Sequence, residues 1–317
     1  MSDPREPMNP QVKQLFTLML AGRPAERVLE PSALRAQMET LSPFLNAGAP
    51  FVGREDELRI PGPGGRPLRV RVFQPPQSAT AKPVLVYLHG GGWVTLSPET
   101  HAKLAKELCL ATGMVVVSVD YRLAPEHPYP APLDDCVAAF RWVRDNARRV
   151  GGDGRRVFLA GDSAGGNLTA AVTLRLLANA EAPPTANVLF CPAVDLALTL
   201  ESESARRFGP GDPVLDDAVT KFFCESYAPR ARWADPFVSP LRGDVSKFPP
   251  TCVVVGTIDP LLDDGLAFAE KLRAAGRDVT LLRYEGMPHD FMLFPGIDAG
   301  TQAIQEVAGF LRAKALA

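Results

Sequence analysis

The amino-acid sequence predicts an α/β protein in which a mostly parallel, eight-stranded sheet is flanked by helices. Apolar strand-like runs alternate with helix-like runs over most of the 317 residues, and such alternation is typical of a parallel sheet covered on both faces. Hydrophobic residues make up 46% of the chain, which is ample for a large buried core. We therefore expect a single domain over residues 1–317.

Each element follows from a local pattern. Residues 1–50 carry apolar side chains at helical spacing, for example at Val12, Leu15 and Phe16, and predict helices. Residues 55–60 and 68–73, on either side of a Pro- and Gly-rich turn, predict a β-hairpin. Six further strands are predicted at 84–88, 114–119, 157–160, 187–191, 251–256 and 279–284. Helices are predicted at about 100–112, 131–149, 165–179, 262–275 and 301–316.

One stretch interrupts this alternation. Residues 197–235 carry mixed charge, a Gly-Pro-Gly-Asp-Pro turn and a short amphipathic piece at 214–227. An insertion of this length between two strands is long for a connector and is typical of a lid or a binding element.

The segment Gly161-Asp-Ser-Ala-Gly165 has the Gly-x-Ser-x-Gly pattern of a nucleophile elbow. It follows the predicted strand 157–160 and precedes an apolar helix, which is the context that this motif requires. The glycines allow strand and helix to cross closely around a serine in a strained turn. We therefore predict that Ser163 is a nucleophile.

A glycine run, His89-Gly-Gly-Gly92, follows the predicted strand 84–88. Consecutive glycines leave backbone N–H groups unobstructed, so that several can point toward one oxyanion. We expect the donors to be the N–H groups of Gly90, Gly91 and Ala164. A phosphate-binding loop is disfavoured, because no Gly-Lys-Ser/Thr follows the run and no Gly-x-Gly-x-x-Gly is present.

The general base and its acid follow from chain order, since an elbow serine is followed by an acid and then by a histidine. Of the four histidines, only His289 lies C-terminal to Ser163. Asp259 lies just past the predicted strand 251–256 and is the favoured acid. The competitors are Asp195, Asp263 and Asp264. The glycine run, the elbow serine, Asp259 and His289 all lie at carboxyl ends of predicted parallel strands. This is the edge where open α/β sheets bind ligands.

Composition and charge disfavour several other classes of protein. The net charge is −2 and no Lys/Arg run is present, so a nucleic-acid partner is not expected. Five cysteines without a Cys-x-x-Cys pair indicate free thiols in a reducing compartment, and we expect a cytoplasmic protein. No segment approaches the ~20 apolar residues of a membrane span, and the N-terminal apolar run is too short for a secretory signal. The scattered histidines predict no metal site.

The combination of motifs resembles the bacterial hormone-sensitive-lipase-like esterases, family IV of the α/β-hydrolase superfamily. The resemblance covers about residues 84–295. It rests on His89-Gly-Gly-Gly-Trp93, Asp120-Tyr-Arg-Leu-Ala-Pro-Glu126, Gly161-Asp-Ser-Ala-Gly-Gly-Asn167, Asp259-Pro-Leu261 and His289-Asp-Phe291.

The resemblance implies that Ser163, His289 and Asp259 are the nucleophile, the base and its orienting acid. It also implies a helical cap formed by residues 1–50 and about 197–232. Members of the family hydrolyse carboxylic esters with short to medium acyl chains and need no cofactor. Many pair into homodimers through the sheet edge that here carries residues 279–284.

Some alternatives stay open at this point. Trp93 either lines the pocket or packs beneath the cap, and Asp162 is a second candidate for the pocket lining. His89, Arg122 and Glu126 are expected to be structural. The same triad could serve an amidase, a carbamate hydrolase or a peptidase. A non-catalytic small-ligand receptor is the alternative from another class, and the complete set of serine, acid, histidine and glycine donors disfavours it.

Overall fold

A single eight-stranded sheet forms the centre of the protein, in a computed structural model that describes residues 5, 7–21, 29–76 and 81–316. Its order is β1-β2-β4-β3-β5-β6-β7-β8. Strand β2 runs antiparallel to both of its neighbours, and the remaining pairs are parallel. The strands are β1 (Arg54–Pro61), β2 (Pro67–Gln74), β3 (Lys82–Leu88), β4 (Val115–Val119), β5 (Gly152–Asp162), β6 (Asn187–Phe190), β7 (Thr251–Gly256) and β8 (Val279–Tyr284).

Helices cover both faces of this sheet, so the predicted fold class is confirmed. They are α1 (Pro10–Ala21), α2 (Pro31–Thr40), α3 (Ser42–Leu45), α4 (Ala102–Thr112), α5 (Ala131–Asn146), α6 (Ala164–Ala178), α7 (Leu196–Glu201), α8 (Glu203–Phe208), α9 (Asp217–Tyr227), α10 (Leu262–Ala274) and α11 (Asp298–Leu316). None of the helices in the described part of the chain has the length and apolarity that a membrane crossing requires.

Alternate residues of the central strands build two cores. In β3, Val84, Val86 and Leu88 pack on the side of the sheet that carries α5 and α6. Leu85 and Tyr87 pack on the opposite side with residues of α4 and α11. Because both faces are buried, the strand is a continuous apolar run instead of an alternating one.

Element boundaries differ modestly from the sequence-based expectation. Strand β5 begins at Gly152 rather than at 157, because Gly152 already pairs with Lys82 of β3. The helix expected at 131–149 ends at Asn146 and continues as a short 3₁₀ turn. Helices α1 to α3 occupy most of the expected helical region 1–50, whose residues 1–4, 6 and 22–28 lie outside the described ranges.

The insertion between β6 and β7 contains three short helices, α7 to α9, and is attached to the loops that end the strands. Ser204 of α8 accepts a 3.1 Å hydrogen bond from the Asp263 N–H group and donates a 2.9 Å bond to the Pro260 carbonyl oxygen. Phe223 of α9 lies against the glycine run, where a Cβ on Gly92 would overlap its ring. The insertion therefore contacts the same sheet edge as the predicted site.

Candidate active site

Ser163 stands between β5 and α6 in a sharp turn. Its backbone has φ 52° and ψ −116°, a strained conformation for a residue other than glycine. A Cβ on Gly161 would overlap the Gly165 carbonyl group, and a Cβ on Gly165 would overlap the Leu88 carbonyl oxygen. The two glycines therefore allow β5, α6 and β3 to approach one another closely around the serine.

His289 lies in the loop after β8 and connects this serine to a carboxylate. Its Nε2 atom is 2.9 Å from Ser163 Oγ, and its Nδ1 atom is 3.0 Å from both carboxylate oxygens of Asp259. Asp259 follows β7, is fully buried, and accepts a further 2.7 Å hydrogen bond from the Leu261 N–H group. The imidazole is thus held at one nitrogen while the other faces the hydroxyl, as nucleophilic catalysis requires.

Two carboxylates control the basicity of His289. Burial by itself lowers the pKa of the imidazole, but the charges of Asp259 and Asp290 outweigh burial and raise it well above its ordinary value. Asp290 Oδ2 lies 3.2 Å from His289 Nε2, the nitrogen that also faces Ser163. Sequence reasoning missed Asp290, although its position directly after the predicted base was an available signal.

The glycine run presents N–H groups that are not used elsewhere. The Gly90 carbonyl oxygen lies 2.8 Å from His89 Nδ1, and the Gly91 carbonyl oxygen accepts a 2.9 Å bond from the Thr95 N–H group. Within the described ranges, the N–H groups of Gly90, Gly91 and Ala164 donate no hydrogen bond. These three groups are therefore available as oxyanion donors.

Asp162 lies beneath the glycine run and does not line a pocket. It is 0% exposed, accepts a 2.5 Å hydrogen bond from Tyr87 Oη, and lies 3.1 Å from His101 Nε2. A Cβ on Gly90 would overlap its carboxylate, so the aspartate is in direct contact with the first glycine. The expectation that Asp162 lines the pocket is wrong, because its two partners direct its side chain into the core.

His89 supports the glycine run from within the core, as expected. Its ring stacks on Tyr121 with centroids 4.3 Å apart, and Tyr121 Oη donates a 2.6 Å hydrogen bond to the His89 carbonyl oxygen. Burial lowers the pKa of His89 to about 3, so its ring is neutral near pH 7.

Trp93 is a packed aromatic residue beneath the insertion. Its side chain is only 2% exposed and stacks on Tyr227 of α9, with ring centroids 4.3 Å apart and nearly parallel planes. Of the two alternatives considered for Trp93, the structure favours packing, because little of the ring surface remains for a substrate.

The competing aspartates have other partners. Asp195 caps α7 and lies 2.8 Å from Arg242 Nε. Asp263 accepts a 2.9 Å bond from the Ser204 N–H group, and Asp264 accepts bonds from two backbone N–H groups of the loop after β6. Among these four aspartates, Asp259 is the one whose carboxylate accepts a described hydrogen bond from His289.

Arg122 and Glu126, which follow β4, make structural contacts. Arg122 Nη2 lies 2.9 Å from the buried carboxylate of Asp135 in α5. Glu126 pairs at 2.7 Å with Arg35 of α2, which also donates a 2.8 Å bond to the Val94 carbonyl oxygen. Glu126 thus attaches the N-terminal helices to the segment that follows the glycine run.

One group of side chains at this site has the composition of a metal site. Cys191, Asp259 and His289 are buried and place one potential ligand atom each within 4.8 Å of one another. Burial and the neighbouring carboxylates raise the pKa of the Cys191 thiol well above its ordinary value. A protonated thiol is a poor ligand, and Asp259 and His289 already bind each other.

Comparisons with known proteins show the family of this chain. Residues 85–293 match the family described as alpha/beta hydrolase fold. The chain is 37% identical to the carboxylesterase NlhH of Mycobacterium tuberculosis over 92% of this chain and 90% of that protein. It is 36% identical to an ethyl acetate hydrolase of Pseudomonas putida, covering 90% and 92% of the two chains. A hyperthermophilic esterase from the archaeon Pyrobaculum calidifontis is similar in structure, with a TM-score of 0.91, 34% identity and coverage of 98% and 99%.

The fold, the site and these similarities define a carboxylic ester hydrolase. The chain belongs to the α/β-hydrolase family, and within it to the hormone-sensitive-lipase-like esterases of family IV.

Proposed function

We propose that this protein hydrolyses short- to medium-chain carboxylic esters through an acyl-enzyme on Ser163, with His289 as base and Asp259 as its orienting acid. One observation carries the proposal. His289 lies 2.9 Å from Ser163 Oγ through one nitrogen and 3.0 Å from Asp259 through the other. A serine, a base and an acid in this order are the requirements of acyl transfer.

The reaction proceeds in two halves. His289 Nε2 accepts the proton of Ser163 while Oγ attacks the ester carbonyl, and Asp259 stabilises the imidazolium through Nδ1. His289 then donates that proton to the leaving alcohol, and the acyl group remains on the serine. In the second half, His289 activates water, which releases the carboxylic acid and restores the serine.

The oxyanion of each tetrahedral intermediate is bound by the N–H groups of Gly90, Gly91 and Ala164. Their lack of other partners in the described structure supports this role. Loss of one comparable donor costs about 3–4 kcal/mol of transition-state stabilisation in other enzymes.

We propose that α1 to α3 and the insertion that carries α7 to α9 form a helical cap over this site. Contacts of Phe223 with Gly92 and of Trp93 with Tyr227 support the cap, because they place α9 on the glycine run. A cap that packs so closely favours small acyl groups. The name of the Pseudomonas putida relative, ethyl acetate hydrolase, supports the same preference.

Pairing into a homodimer and a cytoplasmic location complete the proposal. Strand β8 is an edge strand with partly exposed Val279, Leu281 and Leu282, and an unprotected edge favours pairing with a second copy. All five cysteines are free buried thiols, which is typical of a reducing compartment. Light scattering of the wild type and of a Leu281→Lys variant tests the pairing, and a monomeric wild type would contradict it.

The decisive test is a series of p-nitrophenyl esters with acyl chains from two to sixteen carbons. Ser163→Ala should lower kcat/KM by at least about 10⁴-fold and leave the circular dichroism spectrum unchanged. Ser246→Ala, an exposed serine outside the site, is the matched control. Wild-type rates should peak at short or medium chains. Near wild-type turnover by Ser163→Ala would overturn the mechanism, and turnover of amides alone would replace the substrate class.

A further inference from the structure

Asp290 places a second carboxylate at the reacting nitrogen of the base. It is 6% exposed, and its Oδ2 atom lies 3.2 Å from His289 Nε2, on the side of the ring opposite to the Asp259 contact. Its Oδ1 atom is buried and has no hydrogen-bond partner among the described residues. The only described side-chain partner of this carboxylate is therefore the nitrogen that faces Ser163.

Local backbone geometry does not account for a carboxylate at this position. Asp290 has φ 49° and ψ 34°, in the left-handed region. Glycine and asparagine adopt that region at least as readily as aspartate and carry no charge. A buried carboxylate is costly unless it is paired, so the interaction with His289 is the feature that distinguishes aspartate from those residues.

We propose that Asp290 is a positioning residue of the reaction: its carboxylate accepts a hydrogen bond from the protonated Nε2 of His289 and stabilises the imidazolium formed as Ser163 attacks. The inference rests on the proposed function. When the Ser163 O–H bond breaks, the proton moves to Nε2 and the released electron pair forms the bond from Oγ to the carbonyl carbon. Asp290 takes no proton in this step, and the same proton later leaves with the alcohol.

Among the titratable groups around Asp290, His289 is the principal one of opposite charge. Asp259 lies at the far nitrogen of the same ring, and Cys191, after β6, is a thiol with a raised pKa. Asp162, at the end of β5, is a like charge that is paired with His101 of the α4 N-terminus. Tyr87 of β3 also faces this region, and its raised pKa keeps it neutral.

The charge state of the pair supports the same role. Burial raises the pKa of Asp290 to about 6, although the charge of His289 opposes the rise. Above that pH the side chain is a carboxylate, and it contributes to the raised pKa of His289.

A pH profile distinguishes this role from a purely structural one. His289 acts as base only when it is neutral, so kcat/KM rises as pH increases through its pKa. Removing the negative charge of Asp290 lowers that pKa, and the acid limb should move to lower pH by about 1–3 units. The plateau of kcat should fall, because a weaker base accepts the serine proton less readily.

The experiment compares Asp290→Asn and Asp290→Gly with the wild type, using p-nitrophenyl butyrate from about pH 5 to about pH 10. Both variants tolerate the left-handed backbone, so a shift of the acid limb in both assigns the effect to the charge. Glu285→Gln, an exposed carboxylate in the same loop, is the matched control and should keep the wild-type limb.

If folded Asp290→Asn and Asp290→Gly keep the acid limb of the kcat/KM profile at the wild-type pH, the proposal is overturned. The esterase mechanism would remain intact, since it is tested separately by Ser163→Ala. If neither variant folds, the rate at which a phosphonofluoridate inactivates Asp259→Asn gives the pKa of His289 without the charge of Asp259. An acid limb above the ordinary imidazole value of about 6.5 in that variant supports the role of Asp290, and a limb at or below it overturns that role.

Discussion

Replacing Asp162 by asparagine should destabilise the protein, because this carboxylate and His101 form a buried ion pair under the glycine run. Both side chains are 0% exposed, and His101 Nε2 lies 3.1 Å from Asp162 Oδ2. Burial alone lowers the pKa of His101, but the carboxylate of Asp162 raises it overall. Burial alone raises the pKa of Asp162, but the charge of His101 and its hydrogen bonds lower it overall. Both groups are therefore charged between the ordinary pKa values of a carboxyl and an imidazole, about 4 and 6.5.

The expected magnitude follows from these contacts. Removing one partner of a buried ion pair costs about 3–5 kcal/mol. Asparagine has a similar volume and keeps one oxygen that can accept the 2.5 Å bond from Tyr87 Oη. We therefore expect Asp162→Asn to lower the free energy of unfolding by about 3 kcal/mol, the lower end of that range. For a chain of 317 residues, the loss corresponds to a decrease in Tm of about 4–5 °C.

The difference in unfolding free energy between the wild type and Asp162→Asn depends on pH, and the direction of this dependence can be derived. The stabilisation from Asp162 is complete above the unfolded carboxyl pKa of about 4 and is lost as pH falls through the lowered pKa of the folded state. The stabilisation from His101 is complete below the unfolded imidazole pKa of about 6.5 and is lost as pH rises through its raised pKa. The difference between wild type and variant should be largest between about pH 4 and 6.5.

Urea unfolding followed by circular dichroism at about pH 6 and about pH 9 measures both effects. Asp153→Asn, on the same strand, is the matched control. Asp153 pairs with Arg156, which is partly exposed, and with Arg155, which is almost fully exposed. Asp153→Asn should lower the free energy of unfolding by less than about 1 kcal/mol. An Asp162→Asn variant whose unfolding free energy stays within about 0.5 kcal/mol of the wild type at the lower pH would refute the buried ion pair.

Two further predictions concern the site itself. Asp259→Asn should lower kcat by about 10⁴-fold, because the imidazole then loses the charge that holds its tautomer; initial rates on p-nitrophenyl butyrate measure it, and a loss below tenfold would contradict the role of the acid. Gly92→Ala should lower kcat/KM about tenfold or more, because φ is +61° at this residue and the new methyl group would overlap the Phe223 ring. Adding Phe223→Ala should restore part of that loss, and a double variant no better than Gly92→Ala would show that the ring is not the obstacle.

The sequence by itself determined the fold class and the order of the reactive segments. Buried parallel strands such as β3 contain continuous runs of apolar residues, here Val84–Leu88. The glycines around Ser163 can be identified because few other residues fit a crossing of strand and helix. These signals are local, so they are present in the chain before it folds. The position of His289 as the only histidine after Ser163 is likewise a property of chain order.

Only the tertiary structure decided which side chains meet. Asp259, Asp263 and Asp264 lie within six positions of one another, and their partners differ because each faces a different neighbouring loop. Asp162 and Ser163 are adjacent in the chain, yet one is held in the core by His101 and the other faces His289. Such contacts join residues that lie 30 to 126 positions apart in the chain, and their distances depend on how strands and helices pack, which no local pattern specifies.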